Sequence, residues 1–105
     1  MQRRLSKEES RQRYAEGRKL WNEFDPIGVF VIDEDWPEDE YEGYVGPSLR
    51  LVIENKSAEE FEEYVRFVVH DRMGLREFEQ RNEAIRLFVR NFMEWYRTKW
   101  PDTTV

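Results

Sequence analysis

The apolar positions of the chain fall on helical stripes, separated by short polar or turn-forming punctuation. Tyr14, Gly17, Trp21 and Phe24, with Leu20 beside them, share one face, while Arg11, Arg13, Arg18 and Lys19 lie largely away from it. Ser6 stands three residues before Glu9. That spacing is a capping box, in which each side chain satisfies a free backbone N–H at a helix start. Asp25-Pro26 ends this first helix, because proline biases the residue before it away from the α region. Asp25-Pro26-Ile27-Gly28 then predicts a type I turn. Its aspartate can bond forward to the backbone, its proline presets φ, and its glycine suits the fourth position.

"VFVI", residues 29–32, is apolar and rich in β-branched residues, which predicts extended chain, although no other segment offers a strand to pair with it. An acidic stretch follows: Asp33, Glu34, Asp35, Glu38, Asp39, Glu40 and Glu42 surround Pro37. Carboxylates and proline suit a helix amino terminus, so a second helix is expected directly after Pro37. Tyr41, Tyr44, Val45, Leu49, Val52 and Ile53 would face inward, with a kink or restart at Gly46-Pro47. Ser57 and Glu60 form a second capping box and open a third helix, which Gly74 stops. A fourth runs from about Arg76 to Lys99, with Phe78, Ile85, Phe88, Val89, Phe92, Trp95 and Tyr96 inward and Pro101 beyond its end.

These elements predict an all-α, four-helix bundle-like single domain over residues 1–105. One longer loop, about 25–37, separates the first two helices, and 1–5 and 102–105 are expected to fray. Trp21, Phe61, Val65, Phe88 and Phe92 are expected to meet in the core.

Composition supports one core and narrows the chemistry. Of 105 residues, 39% are hydrophobic, 15% aromatic and 38% charged, so a few large side chains must fill the interior. The absence of cysteine removes disulfides, thiolate metal sites and thiol catalysis. The basic residues of "MQRRLSKEES" precede no apolar run, and nothing approaches a membrane span of roughly 20 residues. The expectation is a soluble, cytoplasmic protein with no membrane association. Net charge is −6, distributed as +4 over residues 1–22, −12 over 23–63 and +2 over 64–105. That acidic middle interrupts the continuous basic footprint that nucleic-acid binding needs, so aromatics interleaved with arginine read as core.

Candidate sites are few. His70 is the only histidine, and with Asp71 alone beside it reads as structural, since metal and acid–base sites require several converging groups. A calcium loop starting at Asp33 fails, because its fifth, sixth and twelfth positions hold Pro37, Glu38 and Tyr44. No catalytic, metal or cofactor-binding residue is assigned, and no cofactor. The function expected is protein interaction or regulation, in the manner of an immunity or inhibitor protein. Its acidic stretch would attract a basic partner, speeding association more than adding affinity. The interaction residues are Asp33, Glu34, Asp35, Glu38 and Asp39, with Phe30 and Ile32 from the apolar segment; Asp25, Pro26 and Gly28 form the structural turn. Residues 28–32 either pair across the two-fold of a homodimer or fold back over their own helices. The alternative is a small enzyme using carboxylates around 25–42, which requires them to converge in one pocket.

Trp21-Asn22, Asp25-Pro26-Ile27-Gly28-Val29, Asp39-Glu40-Tyr41 with Tyr44, and Met73-Gly74-Leu75 resemble a family of small bacterial helical proteins of unknown function. The likeness covers roughly residues 20–75 and is most specific at "DPIGV" and "DEY". It implies a compact, mainly helical fold and brings no activity with it.

Overall fold

The first helix begins where its capping box places it. In the computed structural model, which describes residues 3–4, 6–100 and 103–104, the Ser6 hydroxyl accepts from Glu9 N at 3.1 Å and the Glu9 carboxylate accepts from Ser6 N at 3.0 Å. Helix α1 is Lys7–Phe24, and Asp25 closes it in the left-handed region at φ 43°. A four-residue helix, α2, follows at Val29–Ile32. Helix α3 is Glu42–Ile53. Helix α4, Ala58–Phe67, starts at the predicted Ser57–Glu60 box and runs into a wider turn of π geometry, Val68–Arg72. Helix α5 is Glu79–Lys99. Arg3–Arg4 (β1) and Thr103–Thr104 (β2) pair in parallel. Of the ends expected to fray, 3–4 and 103–104 are the paired residues just described, and 1, 2, 5, 102 and 105 lie outside the described residues.

The fold is all-α. Helix α1 packs on α3 and α5, α4 packs on α5, and α3 touches α4. Trp21 stands at the centre, fully buried, with ring centroids 4.7 Å from Phe88, 5.5 Å from Tyr44, 5.7 Å from Phe24 and 6.0 Å from Tyr41. Phe61 meets Phe92 edge-on at 5.4 Å. Trp21, Phe61, Val65, Phe88 and Phe92 share one buried cluster, as their stripes predict. Gly17 makes the α1–α3 approach close, since a Cβ there would lie 3.2 Å from Val45 Cγ1.

Four details depart from the sequence reading. The segment 29–32 is helical rather than extended, because the preceding aspartate caps it. The helix expected right after Pro37 begins only at Glu42; turns occupy 38–41. That helix then runs through Gly46-Pro47 without a restart. Gly46 has no Cβ for the pyrrolidine ring to strike, which relieves the usual bias before proline. Finally, α5 starts three residues later than expected, and Phe78 lies outside the core, 47% exposed with the Arg81 guanidinium 4.4 Å above its ring.

Candidate interaction surface

The surface is built from Asp25 outward. Its carboxylate accepts from Val29 N and Phe30 N, both at 3.1 Å, so two orphan donors of α2 are satisfied by a residue ahead of it. Gly28 N donates to the Asp25 carbonyl at 3.0 Å, closing the predicted four-residue turn around Pro26, and Gly28 takes φ 83°. The Tyr41 hydroxyl donates to Asp25 Oδ1 at 2.5 Å and accepts from Ile27 N at 3.1 Å. Burial, then the neighbouring Asp25, pushes the Tyr41 hydroxyl well above the ordinary tyrosine range. Asp25, Pro26 and Gly28 thus lie in one turn, to which the Tyr41 hydroxyl is bonded.

One turn of helix on this joint divides its side chains. Val29 is buried, and Phe30 is half-buried against Tyr41 at 6.4 Å. Val31 and Ile32 point outward, 87% and 82% exposed. Ile27 and Trp36 add further exposed apolar surface. Of the two apolar candidates, Ile32 is presented to solvent and Phe30 is turned towards its own helices, with Val31 outside in its place.

Acidic groups rim this knob. Asp33, Glu34, Asp35, Glu38 and Asp39 are all exposed. Asp33 ends α2 and its Oδ1 accepts from Asp35 N at 2.9 Å, which folds the chain back before Pro37. Asn22 Nδ2 donates to the Glu38 carbonyl at 3.1 Å and ties the far side to α1. Glu42 stands apart, its carboxylate held by Arg18 Nε and Nη2 at 2.7 and 3.1 Å.

Two grooves lie on other parts of the body. A groove of about 450 Å³ runs between α3 and α4, lined by Pro47, Arg50, Leu51 and Tyr64 among others. Another of about 270 Å³ runs between α1 and α5, along Leu20, Phe24, Leu87 and Phe88. Neither is lined by a carboxylate from 25–42. Burial, more than nearby Tyr44, pushes the Tyr64 hydroxyl up to about 12. His70 Nδ1 lies 2.8 Å from the Leu75 carbonyl, where its N–H can donate across the Gly74 stop. Among the described residues, no three His, Asp or Glu side chains are grouped to hold a metal, and no helix is long and apolar enough to cross a membrane.

Two features escaped the sequence reading. Ser48 is fully buried, accepting from Trp21 Nε1 at 3.0 Å and donating to the Tyr44 carbonyl at 2.7 Å. Trp100 is buried at the end of α5, 5.4 Å from Trp95. Compared with protein-family models, curated proteins and solved structures, the chain matches none.

Proposed function

We propose that the chain is a protein-interaction domain, a four-helix bundle-like body that offers α2 and its acidic rim to a basic partner. The observation that carries this reading is the exposure of Val31 and Ile32, 87% and 82%, on a turn held by Asp25. Single exposed apolar residues are ordinary on any surface. Here four of them, Ile27, Val31, Ile32 and Trp36, fall within ten residues beside five exposed carboxylates. An apolar centre with a charged rim is the anatomy of a contact surface, with the rim setting the approach and the centre the residence time.

Charge favours a foreign partner over a second copy. Pairing this knob with itself across a two-fold axis would bring Asp33, Glu34 and Asp35 towards their own equivalents, and like charges oppose each other at such distances. An enzymatic use of Asp25 has less support, because both its oxygens are taken up by backbone and Tyr41 donors. On this reading the residues that carry the resemblance to small bacterial helical proteins serve as a folding device, supported by the Asp25–Tyr41 bond and the reach of Asn22 to Glu38. A cytoplasmic setting and an inhibitor-like role follow as parts of the same proposal.

The test is affinity capture from extracts of the native host, with the unmodified chain beside a Val31→Asp, Ile32→Asp variant and an Asp33→Asn, Glu34→Gln, Asp35→Asn variant. A partner held by the unmodified chain should be lost by the first variant, and associate more slowly, with weaker salt dependence, with the second. Equal capture by all three would sink the proposal. Light scattering on the unmodified chain checks the other occupant: a dimer broken by Ile32→Asp would replace the foreign partner with a second copy.

A further inference from the structure

Residues 26–40 join α1 to α3 without belonging to either. A helix of one turn cannot hold itself, since isolated helices shorter than about a dozen residues are marginal in water. Few groups hold this one. The Asp25 carboxylate receives Val29 N and Phe30 N, the Tyr41 hydroxyl bridges Asp25 and Ile27 N, and Asn22 holds the Glu38 carbonyl. Val29 is buried and Phe30 half-buried; from Val31 to Asp39 every residue is exposed. The two ends are anchored differently. Trp21 and Tyr41 are fully buried, 6.0 Å apart, inside the aromatic cluster. Of these bonds, the Asn22–Glu38 contact is exposed and the others are part-buried; a segment with so few buried side chains opens locally at a fraction of the global cost.

We infer that residues 26–40 form a strap that leaves the helical body as one unit while the helices stay folded. The Asp25–Tyr41 bond is its latch, and its release uncovers the Tyr41 ring that Phe30 covers. The consequence for regulation rests on the contact-surface reading above. A closed strap presents Val31 and Ile32 in one arrangement and an open strap does not, so latch strength sets the fraction of protein ready to bind. Any covalent or binding event that separates Asp25 from Tyr41 would lower apparent affinity without touching the contact residues.

Native-state hydrogen exchange on the full chain tests this without a partner. The amides of Val29, Phe30 and Asp33 should exchange as one group, about a hundredfold or more faster than those of Phe88 and Val89. Tyr41→Phe keeps the ring and removes the latch oxygen, and should speed the strap amides roughly tenfold further relative to the core amides. Should that variant fail to fold, Asn22→Ala carries the same comparison from the exposed side of the strap. Strap amides that exchange at the core rate, or a variant that speeds strap and core by one factor, would overturn the inference. Val31→Asp separates the two proposals: it should leave exchange unchanged while abolishing partner capture, so each can fail alone.

Discussion

The α4–α5 pair and the 25–41 segment are assembled by opposite means. In α4 and α5 the apolar stripe decides: Phe61, Val65, Phe88, Val89 and Phe92 are buried, and the polar positions face water. Side-chain hydrogen bonds there are few and sit at the margin of the stripe, where Trp95 Nε1 and Lys99 Nζ of α5 donate to the Glu16 carboxylate of α1. In 25–41 the polar groups decide. One carboxylate, one hydroxyl and one amide hold the chain, and two of the four α2 side chains face outward. Burial gives the first region its stability, because each large side chain removed from water contributes about 1.5–3 kcal/mol. The second region obtains a defined shape from groups of about 1 kcal/mol each. Shape without much burial is what the proposed contact surface would need.

Breaking the first region should therefore cost most. Phe92→Ala, at a fully buried position, should lower stability by about 3–5 kcal/mol in urea or guanidinium unfolding. A loss under 1 kcal/mol would mean that the body is not held by its stripe. Ser48→Ala sharpens the comparison by removing a polar group from inside the body. Trp21 Nε1 would be left buried without its acceptor, at a cost of about 1–3 kcal/mol. Ser48→Thr, which keeps the hydroxyl, separates that loss from packing.

Alkali acts on both regions, since burial also pushes the Tyr41 hydroxyl up, and Tyr64 reports on the body. Tyr64 belongs to α4, and its hydroxyl is pushed up to about 12 from an ordinary 10.0 by burial. The unfolded chain gives up this proton first, so neutral Tyr64 contributes its full stabilisation below about pH 10 and loses it as pH rises to about 12. Tyr64→Phe should flatten that part of an alkaline unfolding curve. The smallest effect is expected at the knob: Ile32→Asp should change stability by no more than about 0.5 kcal/mol. A larger loss would show that Ile32 supports the fold and is not free to meet a partner.

The same contrast explains what could be read in the sequence. Both capping boxes, the inward face of α1, the Gly74 stop and the five central core residues follow from spacing, because each depends on residues within a turn or two. Helix α2 did not, since four apolar residues carry no measurable period and their conformation depends on Asp25 ahead of them. The start of α3 at Glu42 depends on the turns that carry Tyr41 to Asp25, a tertiary contact. Ser48 reads as a surface serine until Trp21 is known to lie across from it. Phe78 fits the apolar stripe of α5, yet it precedes the helix, where its extended backbone turns it outward. The acidic stretch was legible as charge. That it surrounds an apolar knob was legible only in part, since Ile32 was assigned to the surface and Val31 was not.

Trp36 turns the acidic rim into an optical signal. Of the four tryptophans, Trp21 and Trp100 are buried and Trp95 is half-buried, whereas Trp36 is exposed between Asp35 and Pro37. Collisional quenchers reach an exposed indole by diffusion, and the potential around it sets their local concentration. The carboxylates of Asp33, Glu34, Asp35 and Glu38 should gather caesium ions near Trp36 and exclude iodide. At low ionic strength, caesium should quench the accessible emission more strongly than its intrinsic efficiency allows, and iodide less. Both deviations should shrink as added salt brings the screening length to about 10 Å at 0.1 M. A basic surface laid over the knob would shield the indole from both ions, so the domain carries its own reporter of occupancy.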